Sequence, residues 1–307
     1  MAIGAFFFSL MSVAVKLASQ HLPSSHTVLA RGVVTLVLSA IGLARSGKWT
    51  WGKDKPRLLL RGFAGFVALN CFYYSLKHMP LADATVIQYS SPVFTALLAA
   101  VVLGERISLR GGLLILASFA GVLLVAQPAF LFKGHVSASP FVLAIALCGS
   151  IVSAVAYVTI RRLRETDGPD VILLYFPLVA MPLSIGPVFR DAMMPTSFEW
   201  LLLLALGVFT QIAQIFMTKA LHNEPAGRAT AVSYLQVVFA YAWGMLIFGE
   251  HPNVLSFAGA AVVAASTFFL STSASASSAK GAAKDEPETG PALIDGADLV
   301  INETGGE

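Results

Sequence analysis

The chain carries much of its own sequence twice. Sliding residues 4–105 forward by 145 positions, without a gap, lays Gly4 on Gly149, Val13 on Val158, Lys16 on Arg161 and Leu76 on Leu221. The register continues through Ala84-Thr85 on Ala229-Thr230, Tyr89 on Tyr234, Val93-Phe94 on Val238-Phe239 and Gly104-Glu105 on Gly249-Glu250. A repeat of this length constrains architecture before any residue is interpreted, because each copy must build the same unit.

Hydrophobicity says what that unit is made of. The 307 residues are 56% hydrophobic and 12% charged, with mean hydropathy +0.76, about half the charge of a soluble domain. Apolar runs of roughly 17–22 residues, the length of a bilayer-crossing helix, recur along the chain. A water-soluble globule is excluded. The first run lacks a basic leader and a small-residue cleavage site, so it reads as a retained span. Cys71 and Cys148 fall in different runs without CxxC spacing, which favours free buried thiols over a disulfide or metal site.

The pattern predicts an all-α polytopic membrane protein of ten transmembrane helices, over 2–19, 26–44, 58–76, 82–103, 109–126, 140–160, 170–188, 200–218, 226–248 and 254–271. Residues 1–126 form the first repeat, 127–139 an external linker and 140–271 the second repeat. Residues 272–307, Ser/Ala/Gly-rich and then acidic, form a disordered cytoplasmic tail that lacks the apolar surface to order itself. With the N-terminus inside, the inner segments hold fourteen Lys and Arg and the outer ones three, Lys77, Lys133 and Arg190. This positive-inside asymmetry predicts cytoplasmic termini. Five crossings per copy make the two copies inverted, and inverted repeats can open a shared pocket alternately to either side.

The segment Leu81-Ala-Asp-Ala-Thr-Val-Ile-Gln-Tyr-Ser-Ser-Pro-Val-Phe-Thr-Ala, with Leu103-Gly-Glu-Arg106, resembles the EamA family of the drug/metabolite transporter superfamily. So does Ala226-Gly-Arg-Ala-Thr-Ala-Val-Ser-Tyr-Leu-Gln with Phe248-Gly-Glu250. The first is especially similar to the G-type nucleotide-sugar-transporter-like solute carriers and their bacterial relatives. The resemblance implies a carrier of small metabolites in a bacterial cytoplasmic (inner) membrane. It also implies a central cavity lined by spans 1, 3, 4, 6, 8 and 9, with a small-molecule substrate and the lipid bilayer as partners. It implies no cofactor and no nucleic acid, and leaves room for a homodimer.

Polar positions inside the spans supply the candidate substrate site. In span 4, Gln88 and Ser91 share a face with Thr95, and span 9 offers Ser233 and Tyr234. Span 3 carries Asn70, Tyr73 and Tyr74 on one side, and span 8 carries Gln211 and Gln214. Spans 1 and 6 add Ser12 and Tyr157. Polar groups avoid lipid, so these faces turn toward protein or a water-filled cavity. The alternative is interhelical hydrogen bonding, worth about 0.6 kcal/mol each. Phe66, Tyr73 and Tyr74 make an aromatic wall for a flat solute, or plain packing.

Charges divide by whether they respect the repeat. Lys16 and Arg161 are equivalent and interfacial, where a long cation can reach water. Glu105 and Glu250 end spans 4 and 9 in matching turns, with Ser108 and Asn253 as caps of the helices that follow. Both pairs read as structural. Arg31 breaks the symmetry, because its counterpart is Phe176. A guanidinium in hydrocarbon costs about 2.5–3.5 kcal/mol unless paired or hydrated, so Arg31 is a candidate for holding an anionic group or, alternatively, for linking helices. Pro92 also breaks the symmetry, since Val237 is its counterpart. It predicts a kink confined to the first copy, either a hinge or inert.

No acid lies mid-span and all six histidines sit in loops or at helix ends, which argues against a carboxylate proton relay. The chain also lacks HEXXH, GxSxG, an acidic cluster and a His-Asp pair, so an enzyme is not expected. The function expected is a transporter of a small amino-acid-like, aromatic or anionic metabolite, working by alternating access. A non-transporting membrane interaction protein is the alternative from another class.

Overall fold

The computed structural model describes residues 1–45, 50–79, 81–132, 139–190, 193–249 and 253–282. Glu250, residues 133–138 of the linker and residues 283–307 of the tail lie outside the described residues, as do the expectations attached to them. Every regular element described is helical. The first copy holds α1 (Ala2–Ala18), α2 (Ser24–Arg45), α3 (Lys55–His78), α4 (Leu81–Gln88), α5 (Ser91–Val102) and α6 (Leu109–Ala126). After the one-turn α7 (Ala129–Phe132) come α8 (Pro140–Leu163), α9 (Pro169–Arg190) and α10 (Ser197–Asn223). Then follow α11 (Ala226–Ala231), a 3-10 turn (Val232–Tyr234), α12 (Leu235–Phe248) and α13 (Val254–Ala282).

Local chemistry marks the helix starts. The Asp54 and Ser139 side chains accept N–H bonds from Arg57 and Val142, with Pro56 and Pro140 just inside. Ser108 caps α6 by accepting from Gly111 at 3.1 Å, and Asn253 accepts from Ser256 at 2.8 Å. Thr196 and Glu199 satisfy each other's orphan N–H groups at the start of α10. Both Gly-Glu turns place their glycine at positive φ, +66° for Gly104 and +63° for Gly249, a conformation costly for any side chain with a Cβ.

Among the described residues, eight helical segments are long and apolar enough to cross a membrane, while Ala2–Ala18 and Val254–Leu270 are shorter apolar helices. Large apolar side chains such as Leu97, Val101, Leu204, Leu246 and Phe257 are more than half exposed. Small and polar residues turn inward, including Ser150, Thr210, Gln211 and Thr218. This is the pattern of a helix bundle whose outer solvent is hydrocarbon.

Residues 1–271 form one compact unit, and its packing obeys the repeat. The most extensive helix contacts are α3 on α8 and α1 on α10, which exchange when the two copies exchange, and α2 on α9, which maps onto itself. The close approaches match too. A Cβ at Gly62 would lie 2.8 Å from Val179, and one at Gly207 would lie 2.4 Å from Val34. These are equivalent contacts, 145 residues apart on both sides. Gly207→Ala should therefore cost about 1–3 kcal/mol through overpacking, read as a lower apparent melting temperature in detergent. An unchanged melting temperature would mean that α2 and α10 do not pack this closely.

Three features differ from expectation. First, the kink is not confined to the first copy. The fourth span breaks between Gln88 and Ser91, and the ninth breaks at residues 232–234, which align with 87–89 of the first copy. Pro92 supplies no N–H at the first break, where the Ser90 hydroxyl also donates to the Ile87 carbonyl at 2.6 Å. Without a proline, the second break has the Ser233 hydroxyl donating to the Thr230 carbonyl at 2.5 Å. Side-chain competition for helix carbonyls bends helices in this way. Second, Arg161 does not reach for water. It is buried and paired with Glu105, because a carboxylate and two helix-end carbonyls wait within its reach. Lys16, its counterpart, is exposed on the last turn of α1. Third, both thiols are free but Cys148 is exposed rather than buried.

Candidate functional site

Side chains from seven helices line an open cavity of about 140 Å³. Its lining includes Phe8 from α1, Arg31 from α2, Arg61, Gly65, Leu69 and Phe72 from α3, and Gln88 from α4. Across from these stand Ser153 and Tyr157 from α8, Phe176 from α9, and Gln214 and Met217 from α10. Four pairs of these residues are repeat equivalents: Phe8 with Ser153, Arg31 with Phe176, Leu69 with Gln214, and Phe72 with Met217. A pocket lined by equivalent positions from both copies straddles the pseudo-two-fold axis. Direct contacts between equivalents say the same. Arg31 Cζ lies 5.3 Å from the Phe176 ring centroid, and the Tyr89 and Tyr234 rings are 6.1 Å apart.

Electrostatically the cavity is lopsided. Arg31 and Arg61 retain only 9% and 3% of their exposure, and Arg61 Cζ lies 5.6 Å from the same Phe176 ring. Arg61 donates from Nη2 to Gln214 Oε1 at 3.2 Å, and Tyr73 lies close to Arg31. The Nε atoms of both arginines are buried without a hydrogen-bond partner. Among the described residues, no acidic one lines the cavity. Desolvated cations over an aromatic face gain a cation–π attraction of about 2 kcal/mol, which falls short of replacing their hydration. Chemically, such an arrangement can accept a negatively charged group.

The remaining polar contacts hold this wall in place. Gln88 donates from Nε2 to Ser153 Oγ at 3.1 Å, joining α4 to α8. Two residues on, Ser90, just before α5, shares a hydrogen bond of 2.7 Å with Ser150 of α8.

Of the candidate residues, Arg31, Gln88, Tyr157 and Gln214 meet in the cavity, with Tyr73 beside Arg31. The others do not. Asn70 is exposed and donates to the Phe66 carbonyl. Tyr74 is exposed and stacks on His78 at 4.1 Å. Asn70 lies one residue past Leu69 and Tyr74 two past Phe72, so both turn off the face that holds those two. Ser91 is buried at the start of α5, and Ser12 accepts a bond from Gln236 at 3.5 Å while donating to the Phe8 carbonyl. Gln211 donates to Ser39 at 2.9 Å and so ties α10 to α2. Ser233 serves the helix break, and Tyr234 is buried between Tyr89 and Phe119. The aromatic wall is built from Phe8, Phe72, Tyr157 and Phe176 rather than Phe66 and Tyr74.

Arg61 is the residue that inspection of single spans passes over. Its signal is the one that marks Arg31: a basic residue whose repeat counterpart, Leu206, is apolar.

Away from the cavity, Glu105 joins the two copies. Its Oε1 accepts from Arg161 Nε at 2.8 Å, and its Oε2 accepts from the Ala226 N–H at 2.8 Å, at the start of α11. Arg161 also donates to the carbonyls of Leu221 and His222, at 3.2 and 2.8 Å, at the end of α10. The carboxylate thus caps a helix of the other copy rather than the helix that follows it, where the macrodipole favours it equally.

A family model described as the EamA-like transporter family matches residues 1–127 and again 140–272. The chain belongs to this family. The double match makes each copy a family unit, and the chain is an integral membrane transporter rather than an enzyme. It is 33% identical over 270 residues to the pseudopaline exporter CntI of Pseudomonas aeruginosa, covering 88% of this chain and 93% of that one. It is also 33% identical over 224 residues to human solute carrier family 35 member G1, covering 68% of this chain and 60% of the relative. A protein crystal structure superposes with TM-score 0.76 at 17% identity, covering 86% of this chain and 92% of that one. That likeness speaks for the fold alone.

Proposed function

We propose that the chain carries a small anionic metabolite across the bacterial cytoplasmic membrane by alternating access to the central cavity. The observation that carries this reading is a pair of buried guanidiniums, with unpartnered Nε atoms, in a pocket that straddles the repeat axis. On this reading the ten apolar helices all span, the short α1 and the apolar part of α13 included, with both termini cytoplasmic. The axis then lies in the membrane plane, and a pocket on it is equally far from both faces. Rocking one copy against the other exposes it to each side in turn. The helix breaks at residues 89–90 and 232–234 are the places where such rocking meets least backbone resistance. The relative named as an exporter makes outward movement the first direction to test.

The test is flux through purified protein in liposomes, comparing anionic, neutral and cationic metabolites. Movement of anions alone is expected, and a protein that moves no anion sinks the reading. Gln88→Ala should lower transport about 3- to 10-fold, the scale of one lost hydrogen bond at the cavity wall. Full flux at normal protein level would remove Gln88 from the site.

A further inference from the structure

We propose that the cavity selects solutes carrying two separate acidic groups, one held by Arg31 and one by Arg61. This inference rests on the cavity being the substrate site. Both side chains are more than nine-tenths buried, and both keep an Nε without a partner. Neither forms an ion pair with an acid among the described residues. Arg61 makes a hydrogen bond to a cavity-lining side chain at the neutral amide of Gln214. Two like charges facing one ring repel each other in a low-dielectric space. A single carboxylate neutralises one and leaves the other desolvated and uncompensated. A zwitterion does worse, because its ammonium meets the second cation with no carboxylate nearby to receive it.

The geometry suits a short molecule with acids at both ends. The two distances to the Phe176 centroid put the guanidinium carbons within about 11 Å of each other. Gly65 makes the second position available. A Cβ there would lie 2.6 Å from Arg61 Nη1 and 2.9 Å from the Phe176 ring, so a side chain at position 65 would shift the guanidinium and the ring from where they now meet. Each planar guanidinium offers a fork that a carboxylate can take in bidentate fashion.

The experiment measures ligand-induced thermal stabilisation of the full chain in detergent, with competition for flux in liposomes. The probes are succinate, glutarate, butyrate, 4-aminobutyrate and glycerol 3-phosphate. The dicarboxylates should act at concentrations at least tenfold below butyrate, with 4-aminobutyrate inert. R61Q should bring succinate and butyrate to the same level, and G65A should shrink the preference without changing any charge. Should R61Q fail to elute as folded protein, R61K and G65A carry the test, and both should narrow the preference. Equal action of succinate and butyrate on the wild type, or a preference undiminished in folded variants, overturns the proposal. Glycerol 3-phosphate outranking both dicarboxylates tenfold also overturns it, in favour of one compact dianion. If butyrate is bound and moved as well as succinate, the anion-carrier reading stands and the two-acid inference falls. If no anion binds or moves, both fall.

Discussion

Replacing Arg31 by alanine should abolish anion transport, by at least about 100-fold, while leaving the protein as stable as before or more so. Two opposite expectations meet in this variant. A buried arginine that held helices together would leave partners stranded on removal, at a cost of about 3–5 kcal/mol. Arg31 has no acid beside it among the described residues, its Nε is unpartnered, and its face rests on Phe176. Removing an uncompensated buried cation relieves desolvation and strands no charge. Loss of function with unchanged or raised melting temperature is the signature of a site that holds strain for its ligand. The measurement pairs liposome flux with a thermal melt on the same preparation. Retained flux with a lower melting temperature would make Arg31 a structural link instead.

Glu105→Ala should have the reverse profile, with a loss of about 3–5 kcal/mol of stability. The Glu105 and Arg161 side chains retain 17% and 9% of their exposure, so little water remains to screen them. One carboxylate answers a guanidinium with Oε1 and a helix N–H with Oε2. Truncation leaves the Arg161 cation facing only the carbonyls of Leu221 and His222 and uncaps α11. The apparent melting temperature should fall by roughly 5–15 °C. A Glu105→Ala, Arg161→Met double variant should recover part of that, because removing both partners strands neither charge. A single variant that melts with the wild type would show the pair to be an idle surface contact.

Much of this was legible from one row of letters. The repeat located equivalent residues, and hydrophobic run lengths placed most helices to within a few positions. The Ser108 and Asn253 caps and the Gly-Glu turns were readable because they depend on neighbours in sequence. The site was only partly legible. Arg31 stood out by breaking the repeat, and Gln88, Tyr157 and Gln214 by being polar in apolar surroundings. Asn70 and Tyr74 satisfied the same criterion and point away from the cavity. One step of about 100° along α3 separates Asn70 from the lining residue Leu69, and polarity alone does not fix the rotation of a helix. The break in the ninth span was invisible as well. It arises from a serine hydroxyl competing for a carbonyl, where the eye looks for proline.

Hydrophobicity and periodicity are properties of neighbours along the chain, so the sequence by itself determined a duplicated, all-helical membrane protein and its family. Which charges meet is a property of distance, and only the tertiary structure decided it. Arg31 and Arg61 converge on Phe176 from different helices, thirty positions apart from one another and more than a hundred from the ring. Arg161, read in sequence as an anchor in the interface, finds Glu105 instead. Coulomb interaction falls with separation in space and rises where water is excluded, and both quantities exist only once the helices have packed.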